Sequence, residues 1–488
     1  MWGNRVVSVR PRLEGPEPAQ GVAADSLRAG IAQIQGELEV TPSFPPEVEA
    51  AAAAAAAGPR LPDLDRTDLP LVTIDPPGSR DLDQALHLAR DGDGYVLSYA
   101  IADLGAFITP GDPIDVEAHT RGQTLYGADS KVPLHPKVLS EDAASLLPDQ
   151  VRPALLWTIR LDSDGSRTDV EVQRALVRST AQLTYEEAQR AVDDGSASES
   201  LQLLKVVGEL RLHREAARGG ISLPTLEQEV HVADDRFRLE FRDMLPVESW
   251  NAQLSLLTGF AAASLMVYAR VGLLRTLPEP DHRDVQRLHR TARALGIDWP
   301  AEELYADLIR KLDPRVPDQA ALIVASTRLL RGSGYVAFDG EVPADPRHAG
   351  LAAEYAHVTA PLRRLADRYA SEVCIALCAG DDVPGWVHTA LPELPRTMQR
   401  TGQLAARYER MVLDLVEAGV LKAHVGESFD GVVVSVSDKE PTRGAVTVRE
   451  PAVEAPVVSA GPLPLGTEAR VRLTTADVTQ RKVEFTLE

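Results

Sequence analysis

This sequence has few cysteines, no long apolar run and no excess of positive charge. The two cysteines, Cys374 and Cys378, are too few for a disulfide framework or for a zinc site made of thiolates alone. A formal net charge of −21 argues against a simple nucleic-acid coat protein, because phosphate binding requires a basic surface. The same charge is compatible with an enzyme that holds nucleic acid in a local basic channel.

No stretch of the chain predicts a membrane span or a secretion signal. The longest apolar run, Leu254 to Ala269, ends at Arg270 and is shorter than the roughly 20 residues of a spanning helix. The N-terminus has no apolar signal-peptide core. We therefore expect a cytoplasmic, monomeric protein with no membrane partner.

The 488 residues, 44% hydrophobic and 25% charged, predict an α+β protein of three regions. Residues 1–62 carry two helical segments, Asp25 to Leu38 and Glu47 to Ala57, which predict either a small helix-turn-helix or a helical arm. Residues 63–424 mix short β-branched runs with long helical stretches. Residues 425–488 alternate apolar and polar residues and predict a five-stranded barrel of the oligonucleotide-binding type.

The strongest local signal is a cluster of aspartates after a short buried strand. The run L-V-T-I (71–74) ends on Asp75, and P-P-G then forces a tight loop that leads to Asp81 and Asp83. In extended backbone, side chains two residues apart leave on one face. Carboxylates held so close repel one another unless a cation lies between them, and oxygen ligands favour Mg²⁺ or Mn²⁺. A polar loop with capping aspartates is the alternative interpretation.

A second signal is basic and lies far along the chain, at E-Y-A-H-V-T-A-P-L-R-R-L-A-D-R (354–368). Pro361 can occupy the first turn of a helix, with Thr359 or Ala360 as its cap. Free backbone N–H groups together with Arg363 and Arg364 would then form a phosphate site. Two arginines on a solvated helix face are the alternative.

Three further residues are candidates for RNA contacts. Tyr126 lies in a Gly-rich loop near Lys131, where its ring could stack on a base or simply pack the loop onto the core. Asn251 and Gln253 precede an apolar helix face and fit either satisfied amides at the core edge or substrate contacts.

In the order found, these motifs resemble the RNase II / RNase R family of exoribonucleases over roughly residues 65–424. The matching blocks are T-I-D-P-P-G-S-R-D-L-D-Q-A-L, I-A-D-L, T-R-G-Q-T-L-Y, V-P-L-H-P-K-V-L-S, L-T-Y-E-E-A-Q, G-L-L-R-T-L-P-E-P and H-V-T-A-P-L-R-R-L-A-D-R. The resemblance implies an RNB catalytic domain, with a mixed β-sheet wrapped by helices around a central channel, and a C-terminal S-one-type barrel.

The resemblance also implies a reaction and roles for single residues. Members hydrolyse single-stranded RNA processively from its 3′ end, with metal-assisted water attack, and release nucleoside 5′-monophosphates. By this analogy Asp75, Asp81 and Asp83 bind Mg²⁺ (or Mn²⁺) and are catalytic, Arg363 holds the scissile phosphate, and Tyr126 stacks on the terminal base.

The sequence departs from the family pattern at several of these positions. Gln84 stands where the family has a fourth Asp, so an amide would be the fourth metal ligand and one negative charge is lost. Ala360 replaces a Ser. Gln253 and Ala406 stand where members carry Glu near the RNA 3′ end, so contacts to the 2′-OH are left open.

Two rival functions stay open for these reasons. The chain could be an RNA-binding regulator whose site is impaired by Gln84, or it could hydrolyse DNA or small nucleotides. The cold-shock barrels usual before the RNB domain do not fit within residues 1–62, and we expect an open channel entrance that tolerates partly paired RNA.

Overall fold

A closed five-stranded β-barrel lies at the centre of the large domain. The computed structural model describes residues 11–13, 22–233, 236–300 and 302–488. The barrel strands follow the order β3-β4-β5-β8-β9, and β3 closes the ring by pairing in parallel with β9. Their bounds are β3 (Leu71–Ile74), β4 (Gln84–Asp91), β5 (Gly94–Ala102), β8 (Val151–Leu161) and β9 (Arg167–Leu183).

Helices cover this barrel and share its core. Buried side chains of α5, α6 and α10 pack with those of β5 and β8 in one continuous cluster, which includes Trp157, Trp250 and Tyr369. Between the described residues, the helices are α1 (Ala24–Glu37), α2 (Pro46–Ala57), α3 (Pro113–Arg121), α4 (Tyr185–Asp194), α5 (Glu199–Arg218), α6 (Pro246–Ala269), α7 (His282–Ala294), α8 (Tyr305–Arg310), α9 (Pro317–Ser326), α10 (Leu365–Ala379), α11 (Gly385–Ala390) and α12 (Leu394–Leu421).

The apolar run predicted to be too short for a membrane belongs to a longer helix, α6. Its 24 residues are long and apolar enough to cross a membrane by length and composition alone. Half of its most apolar window is buried within the fold, and its residues Leu254, Leu257 and Met266 lie in the main core. Such a core helix is weak evidence of a membrane span.

Among the described residues, the smaller strands form four sheets outside the central barrel and the C-terminal barrel. The largest has the order β1-β10-β11-β2, so the N-terminal region contributes two strands that the sequence did not indicate. The other three are pairs: β6 with β7, β12 with β13, and β14 with β15. Their bounds are β1 (Pro11–Leu13), β2 (Val22–Ala23), β6 (Leu125–Tyr126), β7 (Lys131–Val132), β10 (Glu227–Ala233), β11 (Arg236–Arg242), β12 (Val271–Thr276), β13 (Gly334–Asp339), β14 (Arg347–His348) and β15 (Ala353–Glu354).

The two N-terminal helices are where the sequence predicts them, but they do not form one unit. Leu27, Ile31 and Ile34 of α1 are buried in the cluster that contains α12, whereas Val48 and Ala52 of α2 belong to another cluster. In a helix-turn-helix the two helices pack on each other. The helix-turn-helix interpretation is therefore wrong, and the region is a helical arm folded onto the body.

The C-terminal region is a second closed barrel, as expected. Its strands follow the order β16-β17-β18-β20-β19, with bounds β16 (Ser428–Val436), β17 (Arg443–Val448), β18 (Val453–Val458), β19 (Glu468–Asp477) and β20 (Lys482–Leu487). Its core is continuous with buried residues of α1 and α12. Helix α12 thus links the small barrel to the large domain.

Candidate active site

The aspartate cluster lies at one end of the large barrel, on the connection from β3 to β4. Asp75 follows the last residue of β3, and its backbone N–H donates to the Leu183 carbonyl at the end of β9, with N and O 3.0 Å apart. Ser145 fixes the rest of the connection because its hydroxyl accepts from the Leu82 N–H (2.9 Å) and donates to the Arg80 carbonyl (2.5 Å). We call residues 75–83 the Asp loop.

A second segment, which contains Leu362 and Arg363, contacts the Asp loop at Asp83. The backbone N–H of Leu362 donates to Asp83 Oδ1 at 2.8 Å, and Arg363 Nε lies 3.3 Å from Asp83 Oδ2. Arg363 keeps 43% of its side chain exposed, whereas the Asp83 side chain is 7% exposed. The carboxylate is therefore covered, and the guanidinium is accessible to a ligand.

Helix α10 begins later than the sequence predicts. Residues 361–363 form a turn, Arg364 pairs with Gln123 in a single β-bridge, and the helix starts at Leu365 with Arg364 as its N-cap. Pro361 is not in the first turn of a helix, and this part of the prediction is wrong. The reason is that the Ala360 N–H donates to the buried Asp367 (2.7 Å) and the Leu362 N–H to Asp83, bonds that hold the turn open.

Arg364 contacts a carboxylate of its own helix. Its Nε and Nη2 atoms each donate to Asp367 at 2.8 Å, and the Asp367 side chain is fully buried. This bidentate pair orients the turn that carries Arg363. The predicted contact of Arg364 with RNA stays a prediction, and the structure gives this residue a supporting position.

The loop that carries Tyr126 pairs directly with the arginine turn. Thr124 N–H donates to the Arg363 carbonyl (3.0 Å), and Leu365 N–H donates to that of Gly122 (2.9 Å). Gly122 has φ +67°, and a Cβ there would lie 2.4 Å from Thr401 Oγ1, so this close approach requires glycine. Tyr126 is thereby placed within the electrostatic field of Arg363, Asp81 and Asp83.

Burial dominates the electrostatics of these groups. It raises the pKa of Asp75 and of Asp83 to about 7 in each case, with Arg363 opposing the rise and Asp81 reinforcing it. Burial likewise raises the pKa of the Tyr126 hydroxyl to about 12. Anionic carboxylates are therefore costly here unless further positive charge arrives.

Asp81 already has a cationic partner. Lys131 Nζ lies 2.9 Å from Asp81 Oδ1 and 3.0 Å from Glu141 Oε1, so an ammonium bridges the two carboxylates. Glu141 was missed in the sequence because nothing marks it beyond a polar turn. In the described part of the chain, no three Asp, Glu, His or Cys side chains are grouped closely enough to hold a metal ion.

The amide of Gln84 is satisfied by protein groups. Its Nε2 donates to the Thr359 carbonyl at 2.8 Å, and its Oε1 accepts a hydrogen bond from the Tyr99 hydroxyl. Coordination of a metal ion would require this oxygen to share or give up the bond with Tyr99. The structure thus gives Gln84 a role in joining β4 to the segment before the arginine turn.

Asn251 and Gln253 differ in their surroundings. Gln253 is 2% exposed and donates through Nε2 to Glu215 Oε2 at 2.6 Å, which makes it a core amide between α5 and α6. Its predicted contact with RNA would need access that this packing does not give. Asn251 is half-buried and lies two residues earlier on α6.

His135 supports the arginine turn from beneath and yields a testable pH dependence. It is 1% exposed and hydrogen-bonded to Pro361, and burial, followed by the charge of Arg368, lowers its pKa to about 3. Because the unfolded chain takes up this proton first, stability should fall as the pH drops from about 6.5 toward 3, by at most about 1.4 kcal/mol per pH unit.

Chemical denaturation at a series of pH values measures this effect. The H135Q variant should lose that part of the slope between pH 6.5 and 5, whereas H388Q, a change at a histidine whose side chain is 37% exposed and contacts Asp339, should keep it. Equal slopes in wild type and H135Q would show that His135 is not held neutral.

Comparison with known proteins places this geometry in a family. Residues 64–377 match the RNB domain, and residues 427–488 match the RNase II-type exonuclease C-terminal S1 domain. The chain belongs to the RNB family. The resemblance drawn from the motifs is confirmed, as are the α+β class, the C-terminal barrel and the N-terminal helices. The domain boundaries at 62/63 and 424/425 stay predictions.

Curated relatives are longer than this chain. Ribonuclease R 1 of Lactococcus lactis is 26% identical over 461 residues, which are 88% of this chain and 55% of the relative. Ribonuclease R of Escherichia coli is 28% identical over 402 residues, 77% of this chain and 49% of the relative. The probable exosome complex exonuclease RRP44 of Caenorhabditis elegans is 31% identical over 345 residues, 66% of this chain and 35% of the relative.

Solved structures share the fold of the RNB chain. Mycoplasma genitalium RNase R in complex with ribose-methylated single-stranded RNA has a TM-score of 0.84 at 20% identity, covering 95% of this chain and 78% of that one. Yeast Ssd1, a pseudonuclease, has a TM-score of 0.70 at 16% identity, covering 91% and 57%. At these identities the likeness shows the fold alone, and the fold includes a protein described as a pseudonuclease.

Proposed function

We propose that this RNB chain is a processive 3′-to-5′ exoribonuclease that hydrolyses single-stranded RNA to nucleoside 5′-monophosphates. The observation that carries the proposal is the convergence of Asp75, Asp81 and Asp83 with an accessible Arg363 at one end of the barrel. Relatives named Ribonuclease R support an RNA substrate. A cytoplasmic location, a monomeric state and access through an open channel are part of the same proposal.

The residues fit a divalent cation by their chemistry. Carboxylate oxygens are the ligands that Mg²⁺ and Mn²⁺ prefer, and a cation would stabilise the ionised forms of Asp75 and Asp83, whose pKa values are raised to about 7. Asp75, Asp81 and Asp83 would hold the cation, which when bound supplies Lewis acidity and a water of lowered pKa. Asp81 would then share its charge between the cation and Lys131, which contacts its Oδ1.

The remaining steps belong to the protein's own side chains. Arg363 donates to the phosphoryl oxygens on which negative charge develops, and Asp83 together with the Leu362 N–H fixes its position. Tyr126 offers a ring beside Arg363 on which the terminal base can stack. Lys131, between Asp81 and Glu141, is a further cation at this site.

A second candidate function is supported by the neutralised carboxylates. Asp83 faces Arg363, Asp81 faces Lys131, and Gln84 contributes no charge, so two of the three aspartates are already paired with a protein cation. An RNA-binding regulator without hydrolytic activity would have the same features. The two functions differ in what happens to a bound strand.

Incubation with labelled RNA tests the proposal. The purified chain is mixed with matched single-stranded RNA and DNA oligomers in Mg²⁺, in Mn²⁺ and in EDTA. We expect mononucleotides from RNA, with loss of the reaction in EDTA. Protection of the RNA would support the regulator, and digestion of the DNA at an equal rate would contradict an RNA-specific enzyme.

Removal of Lys131 should strengthen metal binding. The K131M substitution deletes the ammonium that competes for Asp81, so we expect Mn²⁺ to bind about tenfold more tightly, the equivalent of one charge-assisted hydrogen bond. Mn²⁺ titration followed by electron paramagnetic resonance, without RNA, measures this directly. K137M, at an exposed lysine of the same segment, is the control. Unchanged affinity in K131M would mean that Asp81 does not take part in metal binding.

A further inference from the structure

Four arginine side chains converge on a cleft at the opposite end of the large barrel from the Asp loop. The cleft has a volume of about 490 Å³, within the range of roughly 300–1,000 Å³ typical of ligand sites. Strand β9 runs from this cleft to the end that lies beside Asp75. The cleft is lined by Arg167, Arg211, Arg214, Arg218, Leu257 and Phe260.

Protein groups satisfy these guanidinium groups only in part. Arg211 is 7% exposed and donates through Nη1 to the Gly165 carbonyl at 2.9 Å, but its Nε has no hydrogen-bond partner among the described residues. Arg167 donates through Nη2 to Ser264 Oγ at 3.0 Å, and its buried Nη1 likewise has no acceptor within the described ranges.

Arg218 repeats this pattern. Its Nε donates to the Leu351 carbonyl at 2.8 Å, and its buried Nη2 lacks a hydrogen-bond acceptor in the described part of the chain, with Glu215 Oε2 at 3.9 Å. Glu215 already accepts hydrogen bonds from Gln253 and Ser222, both at 2.6 Å. Three of the side chains that line this cleft therefore each hold one buried N–H group without an acceptor, and each such group is costly.

The local charge is positive in a strongly acidic protein. Within 4 Å of the four guanidiniums, the described residues supply two carboxylates, Glu215 and Asp164, so two positive charges remain. The whole chain has a net charge of −21. Burial, followed by repulsion from the other three arginines, lowers the pKa of Arg211 to about 10. A bound anion would relieve this repulsion.

The orientation of the Arg218 guanidinium is fixed before any ligand binds. The guanidinium carbon of Arg218 lies 4.7 Å from the centroid of the Phe260 ring, and Phe260 is held edge-on by Tyr355 at 5.8 Å. A planar, oriented guanidinium favours bidentate recognition of phosphate or carboxylate. Several such groups around one cleft favour the phosphate, which presents more acceptor oxygens and more charge.

We propose that this cleft binds a phosphate group through Arg167, Arg211, Arg214 and Arg218, as a site separate from the carboxylates of the Asp loop. The phosphate belongs either to a polynucleotide strand or to a free phosphate compound. The proposal does not depend on hydrolytic activity, and its test is therefore separate from the test of the nuclease.

Binding of three phosphate probes to the full chain tests the proposal. The probes are inorganic pyrophosphate, adenosine monophosphate and a single-stranded RNA oligomer, measured by calorimetry at constant ionic strength. In the double variant R167Q/R214Q we expect at least one probe to bind about tenfold more weakly, the loss of one or more charge-assisted bonds. The control variant R290Q/R293Q removes the same charge from exposed positions of α7 and should bind as wild type does.

The pattern across probes identifies the source of the phosphate. A loss seen with pyrophosphate or the mononucleotide indicates a free phosphate compound. A loss seen only with RNA, with a salt dependence reduced by about 1.4 for two phosphate contacts, indicates a strand. Equal affinities of the cleft variant and the control for all three probes would overturn the proposal. If the double variant unfolds, R214Q alone serves, because the Arg214 side chain is 40% exposed.

Discussion

Replacement of Asp83 by asparagine is expected to abolish RNA hydrolysis while RNA binding survives. The substitution keeps the size of the side chain, and the amide oxygen can still accept from the Leu362 N–H. It removes the charge that faces Arg363 and that would hold a cation. We expect a loss of at least about 10³-fold in rate, because groups that stabilise developing charge in a water-excluded site are usually the largest contributors to catalysis.

Single-turnover hydrolysis and equilibrium binding of the same labelled RNA measure this pair of effects. D91N is the matched control, since Asp91 ends the same strand that follows the Asp loop and forms an exposed pair with Arg160. D91N should keep both activities. If D83N lost binding in proportion to rate, the aspartate would be structural, and the assignment of the carboxylates would fail.

The second large effect is expected on stability, at Asp367. D367A leaves the Arg364 guanidinium partly buried without its bidentate partner and leaves the Ala360 N–H without its acceptor. Breaking a buried pair by removal of one partner typically costs about 3–5 kcal/mol. The same change releases the turn that positions Arg363, so hydrolysis should fall as well, even where the protein is still folded.

A comparable but exposed ion pair at the start of α12 shows how much of the effect comes from burial and how much from the loss of a salt bridge alone. Arg396 and Glu393 are also three residues apart, but their side chains are 80% and 66% exposed. E393A should change the free energy of unfolding by less than about 1 kcal/mol. Denaturant unfolding of D367A, E393A and wild type gives the comparison, and similar values for the two variants would show that Asp367 does not organise the turn.

The sequence predicts local elements well wherever a side-chain pattern encodes them directly. Strand β3 follows from its short β-branched run, and the five strands of the small barrel follow from the alternation of apolar and polar residues. Closure of β3 onto β9 and the pairing of β1 and β2 with β10 and β11 join residues far apart in the chain. Neither pairing leaves a periodic signal in the sequence.

The candidate site shows the same division between local and distant information. The Asp loop and the arginine pair could be found from residue type and spacing, because P-P-G and R-R mark unusual local chemistry. The charge partners of these residues could not be found from the sequence. Lys131 bridges Asp81 to Glu141, Asp367 holds Arg364, and Tyr99 holds Gln84 through contacts that only the folded chain brings together.

At the start of α10 the motif was identified correctly, but the helix start predicted from it was wrong. Proline favours the first turn of a helix, and this preference placed the helix start at Pro361. Two buried carboxylates, Asp83 and Asp367, instead accept the backbone N–H groups of Leu362 and Ala360. A tertiary interaction thus overrides a local propensity and moves Arg363 out of the helix toward the Asp loop.

The first product released from the 3′ end of an RNA strand is the most direct test of the proposed 3′-to-5′ exoribonuclease activity. RNA labelled at its 3′-terminal nucleotide is incubated with the chain and Mg²⁺, and products are resolved from the earliest time points. We expect labelled nucleoside 5′-monophosphate as the first product, in an amount equal to the strands attacked. Intact labelled RNA in both Mg²⁺ and Mn²⁺, or a first product longer than one or two nucleotides, would contradict it.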